Sequence, residues 1–336
     1  MRYMPLVLLC GCLGFAQAPA PDRRITLAVV VTDKSGKPVS GLGRQDFTLL
    51  DNKQPQQLLS FEAPNTAEPP VQVILLLDEV NAPFSTVSYA RGQIEKYLQR
   101  DNGSLPVAAS LAFFTDAGLQ MGSAASQEGK DLAAELDQKP SALRTITRSQ
   151  GVYGAGDRVG ISLSALADLA EYETPRPGRK LVLWLGPGWP FLTGPRIQLS
   201  GKEQQNIFAR IVAMSDTLRR AGITLYSIDP LGTADAGGAQ TYYYEDFVKG
   251  VKKPGQVQIG DLALQVLAIQ SGGRVLNSDN DVAGEIARDV ADARSFYVMT
   301  FEGLRGDGPN EYHALEIKLD KPGLKALTRT GYYAQP

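Results

Sequence analysis

The chain has 336 residues, of which 43% are hydrophobic, and 34 basic against 36 acidic side chains give a formal net charge of −2. That length supports one large globular domain with a smaller companion, and the near-even charge balance leaves no electrostatic footprint for nucleic acid or an anionic membrane surface. Its two cysteines, Cys10 and Cys12, and its single histidine, His313, remove thiolate and His-rich metal sites and make nucleophilic catalysis a poor fit.

Residues 1–18 read as an export signal. Met1-Arg2 supplies a positive start, "YMPLVLLCGCLGF" an apolar region too short to span a bilayer, and "AQA" (Ala16 to Ala18) a small-x-small cleavage site. The expected location is therefore periplasmic or secreted. A lipobox reading with Cys12 as the lipidated residue is the weaker alternative. Cleavage after Ala18 leaves a mature chain with no thiol and no disulfide.

Residues 19–70 read as β structure and a linker. "ITLAVVVT" is a strand ending in the turn "DKSGKP", and "DFTLLDNKQPQQLLSFE" reads as two strands joined across Asp51-Asn52-Lys53. "APNTAEPP", residues 63 to 70, links this β segment to an α/β region.

From Val71 to residue 293 strands and helices alternate. "VQVILLLD" is a continuous apolar run of strand length, as expected for a strand buried on both faces. "STVSYARGQIEKYLQR" reads as a helix, "LPVAASLAFFTD" as a second buried strand, "LQMGS" as a short edge strand and "SQEGKDLAAELDQ" as a helix. A loop over residues 140 to 157 precedes the helix "RVGISLSALADLAEYE". The strand "RPGRKLVLWLGPG", a long helix ended by Gly222, the strand "ITLYSIDP", the helix "GDLALQVLAIQSGG", the short strand "RVLN" and a last helix complete the alternation. This spacing demands a doubly wound, mostly parallel sheet with helices on both faces.

Residues 294–336 revert to β: "SFYVMTFEG", a hairpin turn at "LRGDGPN", "EYHALEIKLDKPG" and "LKALTRTGYYA". Neither terminal β segment offers enough strands for a core, so the two are expected to pair into one small β domain. The tripeptide Arg305 to Asp307 is read as turn chemistry, and His313 as a sheet residue.

"VILLLDEVN", "LVLWLGPGWP", "AGITLYSIDP" and "LTRTGYYA", in that order, resemble the von Willebrand factor A-type domains of exported bacterial proteins, and more narrowly the variant common in acidobacterial proteomes. The stretch from "VTDKSGKPVS" to "LLSFE" matches that variant too, so the resemblance covers nearly all of the mature chain. It implies a Rossmann-like fold with a metal-ion-dependent adhesion site at the carboxyl end of the sheet, and a protein partner or extracellular ligand there. Asp78 matches the first Asp of the family's Asp-x-Ser-x-Ser. Val80 and Ala82 stand at the two serine positions, Asp157 stands roughly where a later Thr is expected, and Gly186, Pro187 and Gly188 replace the Asp after the fourth strand.

Asp78, Asn81 and Asp157 are thus the candidate ligands of a degenerate site with weak affinity for Mg²⁺ or another divalent ion, and no other cofactor is expected. The opposite reading has Asp78 capping the next helix or accepting from backbone amides. Trp189 and Phe191, in "GPGWPFLTGP", and Tyr242 and Tyr243, in "YYYEDF", are candidate partner anchors. For Trp189 and Phe191 the competing reading is packing over the sheet. The expected function is non-enzymatic binding or adhesion. A metal-assisted hydrolase using Asp78 and Asp157, or a structural envelope component, are the alternatives.

Overall fold

The computed structural model describes residues 23–64, 66, 71–141, 151–192, 198–230, 243–276 and 281–336. The expected leader with Cys10 and Cys12, and Tyr242, lie outside the described residues. The amino-terminal segment forms β1 (Arg24–Thr32), β2 (Phe47–Asp51), β3 (Gln54–Gln56) and β4 (Leu58–Glu62). The alternating region forms β5 (Gln72–Asp78), α1 (Phe84–Leu98), β6 (Ser104–Thr115), β7 (Gly118–Met121), β8 (Ser126–Glu128), α2 (Gly129–Gln138), α3 (Gly151–Glu173), β9 (Lys180–Leu185), α4 (Gly201–Arg220), β10 (Ile223–Ile228), α5 (Leu264–Gln270), β11 (Val275–Leu276) and α6 (Val282–Ala293). The chain closes with β12 (Phe296–Glu302), β13 (Glu311–Leu319), β14 (Lys325–Leu327) and β15 (Gly331–Ala334).

The central sheet runs β11-β10-β9-β5-β6-β7, parallel except for β7 and the short β8, which pair antiparallel with β6. Helices cover both faces. Apolar side chains of α3, α4 and α5 pack against Ile74, Leu76, Val182 and Trp184, while α1, α2 and α6 pack against Leu75, Leu77, Phe113 and Leu183. The unbroken apolar run of β5 follows from this, because alternate side chains enter opposite cores and neither face meets water. The fold class is therefore the doubly wound, Rossmann-like arrangement expected of the sequence.

The two terminal segments do pair, but as two sheets. One runs β14-β1-β12-β4, the other β15-β13-β2-β3, and Ile25, Leu27, Val29, Phe47, Leu49, Tyr297, Met299 and Phe301 fill the space between them. Strand β1 is apolar on both faces for a specific reason: Leu27 and Val29 point into this sandwich while Val30 joins the core under α1 and α6.

Two local expectations are corrected here. "DFTLLDNKQPQQLLSFE" forms three strands: Asn52 and Lys53, at φ 47° and 70°, turn β2 back onto β3, after which β4 leaves for the other sheet and pairs with β12. The "LRGDGPN" segment is a link between sheets and not a hairpin turn, since β12 and β13 belong to different sheets.

The expected helix "GDLALQVLAIQSGG" shortens to α5, preceded by a single tight turn at Ile259–Leu262. Asp261 in that turn is buried, its Oδ2 accepts from the Gln258 amide at 2.7 Å, and burial pushes its carboxyl up to about 6 from 3.8. A carboxyl raised on folding contributes stability that is fully present below about pH 3.8 and lost as pH rises through about 6. Urea unfolding of the wild type against Asp261→Asn is expected to show the wild type losing about 3 kcal/mol relative to the variant between about pH 4 and 7. Parallel pH profiles for the two proteins would contradict this.

Candidate functional site

Strand β5 ends where its apolar run does, and the chain turns through residues 79–82 to Pro83, the residue capping α1. Asp78 sits at that end, fully buried. Its Oδ1 accepts from the backbone amides of Val80 (3.0 Å) and Asn81 (2.8 Å). Its Oδ2 accepts from Asn81 Nδ2 (2.9 Å) and from the indole Nε1 of Trp184 (3.0 Å), on the neighbouring strand β9. Of the two metal-free roles expected for Asp78, the amide-acceptor role is the one present; the N-cap position of α1 is Pro83, which makes no side-chain cap.

An ionised carboxylate offers about four lone-pair positions, and four protein donors engage them. Burial pushes the Asp78 carboxyl up, while the donors from Asn81, Trp184 and Val80 hold it down. Burial outweighs them, so the carboxyl stands above its ordinary value even though all four groups donate into its oxygens.

The second layer comes from α3. Asn81 Nδ2 also donates to Ser162 Oγ at 3.0 Å, and that hydroxyl donates to the Arg158 carbonyl at 2.7 Å. The expected loop over residues 140 to 157 is corrected at its end, because "GAGDRVG" is helical and belongs to α3. The helix sets which residues meet Asn81: Asp157 precedes Ser162 by five residues, about 140° around the axis, and it is exposed. Ser162 is thus the α3 side chain that meets Asn81, while Asp78 is buried and Asp157 is exposed.

On the other flank Gly186 stands where the resemblance calls for an Asp. A Cβ built there falls 2.7 Å from Asp78 Cβ and 3.2 Å from its Cγ, a separation that side chains essentially never adopt. The glycine is what lets β9 close over Asp78, and a carboxylate in its place would meet the first one head-on. The donor set thus does not fit a hard cation, which asks for several open oxygens in near-octahedral array. Among the described residues no cluster of three His, Cys, Asp or Glu could hold a metal.

The aromatic candidates divide. Trp189 is 3% exposed and stacks edge-on against Trp184 at 5.5 Å between ring centres, and Phe191 is buried in the same core. They are corrected to packing residues: the apolar surface of the sheet end near β9 needs a cover, and these rings supply it. Tyr243 is 78% exposed, on the connection that leaves β10. Sequence reading passed over Phe84, 64% exposed at the start of α1, directly after the β5 turn. These are the two most exposed large apolar side chains among the described residues. It also passed over Trp184, hidden in the apolar run "LVLWL", and Ser162; only the β5–β9 register (Leu76 opposite Trp184) and the helical phase of α3 bring them to Asp78.

No family model matches the chain, and no curated protein matches it. Among solved structures, an aerotolerance-related membrane protein from Bacteroides fragilis is similar over 66% of this chain and 98% of its own, at 14% identity and a TM-score of 0.37. A von Willebrand factor type A protein from Catenulispora acidiphila is similar over 94% and 75%, at 11% identity and 0.33. A pilus adhesin from Lactobacillus rhamnosus is similar over 88% of this chain and 43% of its own, at 9% identity and 0.37. At these scores the fold class stands on the strand order and the two-sided helix packing, and the site on its own geometry.

Proposed function

We propose that this chain is an exported, non-enzymatic binding protein of the von Willebrand A type that holds a protein partner or extracellular ligand at the carboxyl end of its central sheet without a metal ion. The observation that carries the reading is the closure of Asp78 by four protein donors, with Gly186 in place of a second carboxylate. In this reading the ancestral ion position has become a structural knot, and contact energy comes from Phe84 and Tyr243 on connections leaving that end of the sheet. Large aromatic side chains suit such a role because they bury much area at low entropy cost. Among the described residues no helix is long and apolar enough to cross a membrane.

The test pairs two experiments. Calorimetric titration with Mg²⁺, Mn²⁺ and Ca²⁺ is expected to give no binding heat. The chain on beads is then screened against a panel of extracellular-matrix proteins and surface glycans, with and without EDTA. Binding that survives EDTA and falls at least tenfold in Phe84→Ser or Tyr243→Ser supports the reading. Binding abolished by EDTA, binding indifferent to both substitutions, silence across the panel, or metal-dependent phosphoester hydrolysis lost in Asp157→Ala would overturn it.

A further inference from the structure

At the opposite, amino end of the central sheet a small solvent-open cleft lies between the parallel sheet and the β sandwich. Three guanidinium groups line it: Arg179, one residue before β9; Arg219, in the last turn of α4; and Arg329, on the connection between β14 and β15. Thr26 of β1 and Thr224 of β10 add hydroxyl groups to the lining. We propose that this cleft is a binding site for a small tetrahedral oxyanion of the phosphate or sulfate class.

The charge arrangement argues for a missing counter-ion. Arg329 is buried, and its Nη1 donates only to the Ser215 carbonyl at 3.3 Å. Arg219 holds Asp216 at 2.9 Å, and that carboxylate is 36% exposed, so water screens it. Asp216 and Glu62 are the carboxylates that act on Arg329 and Arg179, and neither closes an ion pair with them. Burial lowers both guanidiniums to about 10, and for Arg329 the charges of Arg219 and Arg179 lower it further. Arginine stays protonated at such values, so the cleft keeps three cations whose charges burial leaves poorly solvated. The carbonyl end of α4 opposes an anion by about half a charge, against three full positive charges.

Geometry selects the class of anion. Each guanidinium presents a planar fork that grips two oxygens. A carboxylate is filled by one or two forks, whereas a tetrahedral oxyanion has four oxygens and up to two negative charges to share among three. A bound anion would tie the α/β domain, through Arg179 and Arg219, to the carboxyl-terminal β segment, through Arg329.

The test is calorimetric titration of the full chain with inorganic phosphate and with sulfate, at ionic strength held constant with chloride, repeated on Arg329→Gln and on the half-buried Arg179→Gln. The second variant keeps the test informative where the first fails to fold. Saturable one-site binding that weakens tenfold or more in either folded variant is expected, as for loss of one charge-assisted contact. O-phosphoserine, run in parallel, separates sources: binding equal to phosphate assigns a phosphoryl end group, and exclusion assigns the free ion. Heats no larger than those of chloride, or affinity unchanged in both variants, would overturn the proposal.

Discussion

Asp78→Ala is expected to lower the free energy of unfolding by about 4 kcal/mol. The substitution leaves two backbone amides, one N–H of the Asn81 amide group and the Trp184 indole buried with no acceptor, at about 1–3 kcal/mol for each donor that water cannot reach. Partial collapse and an entering water recover some of that sum. Asp78→Asn retains one oxygen for the amides of Val80 and Asn81 but turns an NH₂ group toward Asn81 Nδ2 and Trp184 Nε1, so a loss of about 2 kcal/mol is expected. Urea unfolding at neutral pH measures both. A metal ligand facing solvent would behave otherwise: its removal would leave the metal-free protein as stable as before. Stability of Asp78→Ala within about 0.5 kcal/mol of wild type, the ordinary range for surface substitutions, would sink the structural reading.

The second large effect lies in the β sandwich. Asp51, at the end of β2, is fully buried. It accepts from the Tyr332 hydroxyl on β15 at 2.6 Å and pairs with His313 Nδ1 on β13 at 2.8 Å. One residue from the amino-terminal segment therefore holds two from the carboxyl-terminal segment, and burial with the Asp51 charge pushes the Tyr332 phenol far up. Asp51→Ala is expected to cost about 3 kcal/mol because it strands two buried polar groups, and Tyr332→Phe about 1 kcal/mol because it removes a single hydroxyl. In a double-mutant cycle the pair should couple by about 1–2 kcal/mol. Additive losses would mean that the two side chains do not act together.

How far the sequence foretold this molecule depends on whether a feature is local. The apolar run ending in Asp78 and the strand–helix alternation are local patterns, and both fold as read. The identity of Asp78's partners is not local. Trp184 reaches it through strand register, and Ser162 reaches Asn81 through helical phase, neither of which is defined until the elements pack. The stretch "GAGDRVG" misleads for a related reason. Its glycines weaken a helix by about 1 kcal/mol each, but the apolar face downstream, Leu163, Leu166 and Leu169, packs into the core and carries the helix past them. Trp189 and Phe191 are ambiguous in sequence because an aromatic loop at a sheet end can equally cover the core or meet a partner. The core beside Trp184 decides for covering.

The pairing of β1 with β12, from Arg24 opposite Glu302 to Val30 opposite Phe296, has a consequence for how the molecule comes into being. These partners lie at nearly opposite ends of the described chain, and the α/β region must be threaded between them. Loop-closure entropy makes such distant pairings late events unless the intervening chain has already collapsed. The central sheet, whose parallel neighbours lie closer in sequence, can assemble first and bring the two ends together. Until β12 emerges, β1 is an exposed edge with apolar residues on both faces, the kind of segment that recruits foreign strands. The last forty or so residues are thus the latch that makes the first strand safe.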